Sequence, residues 1–344
     1  MRPYGLLRAG SVFAQDYLIE RHLSDGGMGS VFVAEQISTG RKRALKVFDP
    51  KLLEDDKARE RFGREARVGA RIQSDHIVEV VGGGVDPEHG VPWIAMELLE
   101  GEELGAHLAR RGPLPMDEIL EICRQLTTGL AAAHEAGIVH RDLKPENVYL
   151  AKARRPDVPF TLKILDFGIA KFLRDARTKS TDTIGTPLWM SPEQTERGGA
   201  ITPATDVWPI GLMVFLMFTG RSFWLTASEP EPSSVTLMRE VLFEPIPPAS
   251  ERARALGVGD RLPPGFDPWF AGCVTRDARA RFPGAREAYA ALAELRATPL
   301  ATTTGPSIQL VVDTDRPARP SVATIAVADT RPCGGASCGS SRPR

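Results

Sequence analysis

Residues 140–147 read HRDLKPEN, and few eight-residue stretches carry so much potential chemistry. One carboxylate, Asp142, lies between cationic neighbours, with the ammonium of Lys144 and the amide of Asn147 following in the same loop. A positioned carboxylate can take a proton from an alcohol, and an amide oxygen suits a hard divalent cation. A second carboxylate, Asp166, ends the apolar run KILDFG. These are parts for phosphoryl transfer, in which a protein aligns an alcohol with phosphorus and offsets the charge.

Such groups need a scaffold. From Tyr17 to Phe48 the runs YLIERHL, SVFVAEQ and RALKVF are joined by DGGMG and STG. Turn residues between alternating runs predict an antiparallel sheet with one covered face. Residues Leu53 to Gln73 have a helical pattern, and SDHIVEVVGGG reads as the next strand. Val91 to Leu104 is an apolar strand that turns polar at a glycine. Between Asp117 and Glu135, Ile119, Ile122, Leu126, Leu130 and Ala133 recur at helical spacing, with Gly137 as the expected stop. Asp206 heads an apolar helix whose Pro209 is expected in the first turn, where a missing N–H costs nothing. One helix from Val235 to Leu242 and two between Phe266 and Leu295 complete the pattern.

The 344 residues include 43 Lys and Arg against 44 Asp and Glu. A balance so even argues against a polyanion partner, so no nucleic acid is expected. Cys123 and Cys273 sit in apolar helical patterns and Cys333 and Cys338 in the tail, which suits a reducing compartment. The start, MRPYGLLRAGSVF, lacks an apolar core of signal length, and the run Ile210 to Phe218 is far short of the roughly 20 residues of a membrane span. A cytoplasmic chain with no membrane span is expected. CGGASC lacks the spacing and partners of a zinc site.

Taken in order, these stretches resemble the bacterial eukaryotic-like (Hanks-type) serine/threonine protein kinases, from about Tyr17 to Arg296. The resemblance implies an α+β, bilobal protein-kinase-like fold: an antiparallel β-rich N-lobe (17–97) with one helix, and a mainly helical C-lobe (101–297). An N-terminal extension (1–16) would precede the kinase domain (17–297), and a low-complexity tail (298–344) would follow it. The implied cofactors are ATP and Mg²⁺, and the implied partners are protein substrates bearing Ser or Thr. A transient homodimer is one possible arrangement for autophosphorylation.

Site roles follow from the resemblance residue by residue. Asp142 is the expected acceptor for the substrate hydroxyl proton, Lys144 the γ-phosphate contact, and Asn147 and Asp166 the metal ligands. Lys46, in Ala44-Leu45-Lys46, matches the lysine that meets the α- and β-phosphates, with Glu65 as its ion-pair partner. Leu23 to Val31 resembles the glycine-rich phosphate loop, although Ser24 replaces its first glycine and only Gly26 and Gly29 remain. Met96 matches the gatekeeper. Backbone groups of Glu97 and Leu99 are assigned to the adenine edge, with Leu23, Val31 and Ala44 above the ring and Tyr149 below. The hydroxyl-rich segment Ile169 to Met190 resembles an activation loop, with Thr178, Ser180, Thr181 and Thr183 as candidate phosphorylation sites. Thr186, in GTPLWMSPE, is the expected substrate contact. Arg281 is the expected partner of Glu193, and Asp206 the expected brace of the catalytic-loop backbone.

Two rival readings keep the nucleotide chemistry. A pseudokinase interaction module would explain Ser24 and Pro209, but every charged catalytic position is filled. A small-molecule kinase would not need GTPLWMSPE or the hydroxyl-rich loop.

Overall fold

The computed structural model describes residues 7–26, 29–50, 62, 72–153, 158–167, 187–196, 198–229 and 233–297. Of the expected helix Leu53 to Gln73 only residues 62, 72 and 73 are described, and Glu65 is not among them. Thr178, Ser180, Thr181, Thr183, Thr186 and the 298–344 tail also lie outside the described residues.

The first lobe is a six-stranded antiparallel sheet. Its strands are β1 (Val12–Phe13), β2 (Tyr17–Gly26), β3 (Gly29–Gln36), β4 (Arg41–Phe48), β5 (Val80–Val85) and β6 (Pro92–Glu97), in spatial order β1-β2-β3-β4-β6-β5. Strand β1 lies inside the stretch read as an N-terminal extension, and its Phe13 is buried against Trp93. Strand alternation sorts the two faces. Phe32, Ala34, Leu45, Val47 and Ala95 pack with Phe13, Tyr17 and Ile19 into a small core. The opposite face carries Val31, Ala44, Lys46 and Met96: Val31 pairs with Lys46, and Ala44 with Met96, across neighbouring strands. The β2–β3 pairing runs through Ser24↔Val31 to Gly26↔Gly29, so serine in place of glycine leaves this hairpin intact. Gly29 is required by packing, because a Cβ there would sit 2.0 Å from the Val47 carbonyl oxygen.

Beyond β6 and the link 98–100, β7 (Gly101–Glu103), β8 (Val148–Lys152) and β9 (Phe160–Ile164) form a three-stranded sheet. The second lobe is otherwise helical: α1 (Leu104–Arg111), α2 (Met116–Glu135), α3 (Pro203–Thr219), α4 (Ser234–Leu242), α5 (Ala249–Ala255), α6 (Phe266–Cys273) and α7 (Ala285–Ala297). The apolar stripe predicted on α2 is fully buried, and Gly137 follows the helix at φ +73°, a left-handed stop. Among the described residues no helix is long and apolar enough to cross a membrane. The run Ile210 to Phe218 is instead the buried interior of α3.

One expectation is corrected by α3. The helix begins at Pro203, capped by Thr202 in a reciprocal box with Thr205, rather than at Asp206. Pro209 therefore lies inside the helix and withholds an N–H from the ladder. The start is set by Thr202 and Pro203, ahead of Asp206.

The lower lobe is clamped by one ion pair. Arg281 donates from both terminal nitrogens to the two carboxylate oxygens of Glu193, each at 2.8 Å, and also reaches the carbonyls of Thr275 and Ala204. Its guanidinium lies 5.0 Å from the centroid of the Trp208 ring. Burial pushes the Glu193 carboxyl up, but the Arg281 hydrogen bonds and charge outweigh it, and the group lies below its ordinary value. Its stabilisation is thus complete above the ordinary carboxylate range and is lost as pH falls through the lowered value. Glu193→Ala should cost about 3–5 kcal/mol in urea unfolding at neutral pH, because it strands a buried guanidinium. The deficit should shrink in acid, where the wild type also loses the pair.

Candidate active site

The loop 138–147 connects α2 to β8, and its backbone is held by a carboxylate far away in sequence. Asp206, with no solvent exposure, accepts the N–H of His140 at 2.8 Å and of Arg141 at 2.9 Å. His134, in the last turn of α2, meets the same carboxylate at 2.8 Å. These bonds fix Arg141 at φ +69°, a left-handed conformation that costs a non-glycine residue about 1–3 kcal/mol. Asp166 has the same kind of backbone, at φ +60°.

Around this turn the sequence-predicted residues converge. Lys144 Nζ donates to Asp142 Oδ2 at 3.0 Å. Asn147 Nδ2 donates to the Asp142 carbonyl at 2.7 Å and to Oδ2 at 3.0 Å. Leu165, the residue before Asp166, is gripped twice by the same loop: its N–H donates to the Asn147 carbonyl at 2.9 Å, and its carbonyl meets His140 Nε2 at 2.8 Å. The other His140 nitrogen accepts the Asp142 N–H at 3.2 Å, so the ring accepts at Nδ1 and donates at Nε2. Phe167 packs edge-on against that ring at 4.6 Å.

The first lobe contributes Lys46, whose Nζ meets Asp166 Oδ2 at 2.5 Å across the cleft. Its expected pairing with Glu65 lies outside the described residues, and the partner described is Asp166. Burial pushes the Asp166 carboxyl up, but Lys46 pulls it down further, aided by His140 and Lys144, and the net position is below the ordinary value. Asp166 is therefore a carboxylate at neutral pH. An ionised carboxylate and an amide whose nitrogen is turned toward Asp142 make an oxygen donor set that fits a small hard cation.

Several of the residues assigned to the nucleotide lie on one face of the first sheet. Val31, Ala44, Lys46 and Met96 share the cleft face of the sheet, and Leu23 stands exposed in the second half of β2. Tyr149, on β8, donates its hydroxyl to the Gly101 carbonyl at 2.8 Å. The N–H of Glu97 is taken by the Glu79 carbonyl at 2.9 Å, so it is not the group of Glu97 that can meet an adenine edge.

Sequence reasoning missed several supports. The Glu97 carboxylate accepts Lys163 Nζ at 2.6 Å and the Glu79 N–H at 3.0 Å, tying the last residue of β6 to β9, the strand that leads to Asp166. Gln194 donates to the Arg141 carbonyl at 2.7 Å. His134 had no local signal, since its partner is 72 positions away.

The comparisons agree with this geometry. Residues 17–285 match the family model for the protein kinase domain. The serine/threonine-protein kinase pkn3 of Myxococcus xanthus is 36% identical over 251 residues, covering 72% of this chain and 44% of that protein. PknL of Mycobacterium tuberculosis, also a serine/threonine-protein kinase, is 34% identical over 267 residues, covering 77% of this chain and 62% of the relative. The chain thus spans about half the length of these relatives. The crystal structure of the PknI kinase domain from Mycobacterium tuberculosis is similar with a TM-score of 0.63 and 27% identity, covering 84% of this chain and 99% of that one. A small antiparallel β lobe above a helical lobe, with a charged cleft between them, is the bilobal protein-kinase fold. The chain belongs to the protein kinase domain family.

Asp206→Asn should turn an amide N–H against donors it now satisfies. Each stranded group costs about 1–3 kcal/mol, so the unfolding free energy should fall by at least that much. Hydrogen exchange should speed up at the amides of His140 and Arg141 before it does in the β1–β6 sheet.

Proposed function

We propose that this chain transfers the γ-phosphate of ATP to Ser or Thr hydroxyls of proteins, with Mg²⁺ as cofactor. The observation that carries the reading is the convergence of Asp142, Lys144 and Asn147 with Asp166 of the same lobe and Lys46 of the other. Asp142 is the base. Its carboxylate takes the proton from the acceptor Oγ as the Oγ–P bond forms, and the bond from the γ-phosphorus to the β,γ-bridging oxygen breaks, releasing ADP. Lys144, 3.0 Å from that carboxylate, offsets charge on the transferring group. Lys46 orients the α- and β-phosphates, and Asp166 and Asn147 hold the metal. Bound Mg²⁺ supplies charge neutralisation on the phosphate oxygens.

Leu23, Val31, Ala44 and Tyr149 enclose the adenine, with Met96 as gatekeeper and Leu99 and Glu97 as backbone contacts. Gly26 and Gly29, with Ser24, shape the phosphate loop. Glu65 pairs with Lys46 in the active state. Thr178, Ser180, Thr181 and Thr183 are the autophosphorylation candidates, Arg141 is the cation that would pair with phosphate there, and Thr186 contacts the acceptor. The filled catalytic positions favour this reading over a pseudokinase, and the serine/threonine kinase relatives favour it over a small-molecule kinase.

Asp142→Asn should lower transfer to a protein acceptor by about 10²–10⁴-fold, the usual contribution of a positioned base. Its affinity for ADP with Mg²⁺, read by calorimetry, should stay within about threefold of wild type, since no phosphate contact is removed. A variant that keeps full transfer would remove Asp142 from the mechanism.

A further inference from the structure

The backbone on both sides of Arg141 is pinned, and the two pins come from different elements. The peptide ahead of it is held through the Arg141 N–H by Asp206 on α3, at 2.9 Å. The peptide after it, which carries Asp142, is held through its carbonyl by Gln194 Nε2 at 2.7 Å and through its N–H by His140 Nδ1 at 3.2 Å. A planar peptide held at both ends cannot rotate, so the N–Cα bond from which the Asp142 side chain departs is fixed in place.

Gln194 is itself aimed. Its Oε1 accepts the N–H and the Oγ of Ser191, both at 3.1 Å, which turns the Nε2 donor toward the loop. Ser191 is fully buried, and the adjacent Glu193 is clamped by Arg281. The side chain thus projects from a rigid anchor. That anchor, Pro192–Gln194, closes the segment whose earlier part, GTPLW, is assigned to the acceptor.

We propose that Gln194 is a positioning residue for Asp142, joining the acceptor-side segment to the peptide that carries the base. The proposal rests on Asp142 being that base. The side chain of Gln194 acts on the loop peptide, through the Arg141 carbonyl, and has no assigned part in holding nucleotide or acceptor. Its loss should therefore lower the rate of the chemical step and leave nucleotide affinity alone.

Two substitutions test it. Gln194→Glu keeps the shape and the Ser191 contacts but sets an acceptor against the Arg141 carbonyl. Gln194→Met fills the same space with no donor and no charge, and guards against a misfolded Gln194→Glu protein. In the chain of 344 residues, kcat for a protein acceptor should fall at least tenfold in each folded variant. KM for ATP and the Kd for ADP with Mg²⁺ should stay within twofold, and the thermal midpoint of Gln194→Met should stay near that of wild type. A kcat within twofold of wild type in a folded variant overturns the role. Equal losses in kcat and ADP affinity also overturn it, by marking Gln194 as a general structural support. A wild-type chain that phosphorylates no acceptor overturns the base assignment and this role together, whereas an active wild type with fully active variants overturns this role alone.

Discussion

A single buried carboxylate sets the geometry on which the site depends. Asp206 has no exposure to solvent and takes hydrogen bonds from two successive loop amides and from His134. Burying a carboxylate is expensive unless its oxygens are satisfied, and here the groups that satisfy it are those whose position matters. The helix that presents Asp206 is buried along almost its whole length and is among the most apolar elements of the lobe. The loop is therefore braced from beneath by the hydrophobic core. Strain at Arg141 persists because the surrounding bonds leave it no alternative.

The cleft above that brace is a set of charges arranged to be useful when partly unpaired. Lys46 and Asp166 come from different lobes, and their contact crosses the space assigned to phosphate and metal. The Glu97–Lys163 pair fastens the end of β6 to β9, three residues before Asp166. Both pairs are largely withdrawn from water, so each depends on its partner being in place. Each contact joins residues of the two lobes, so any separation of the lobes would have to stretch or exchange both.

Legibility in the sequence divided along physical lines. The chemistry-bearing residues of HRDLKPEN and DFG were legible because their types and spacing are constrained together. The stripe on α2 was legible because burial writes a helical period into the chain. The pairing of Glu193 with Arg281 and the bracing by Asp206 were anticipated only through the family resemblance; no local pattern links positions so distant. The start of α3 was misjudged because the apolar run and Asp206 were more conspicuous than Thr202 and Pro203. Strand β7 has no sequence signal, since GEE is three polar residues, whereas the apolar run before DFG reads as a strand. Gln194, Lys163 and His134 are ordinary polar side chains, and only the folded backbone shows what they hold.

The central claim is that this cleft transfers phosphate and that its own hydroxyl-rich segment is among the acceptors. The most direct measurement is incubation of the purified chain with γ-labelled ATP and Mg²⁺, followed by mass spectrometry of the modified residues. Label on one or more of Thr178, Ser180, Thr181 and Thr183, absent when Lys46 is replaced by alanine, is the predicted result. A chain that binds ATP with Mg²⁺ yet labels neither itself nor an added protein acceptor would contradict it.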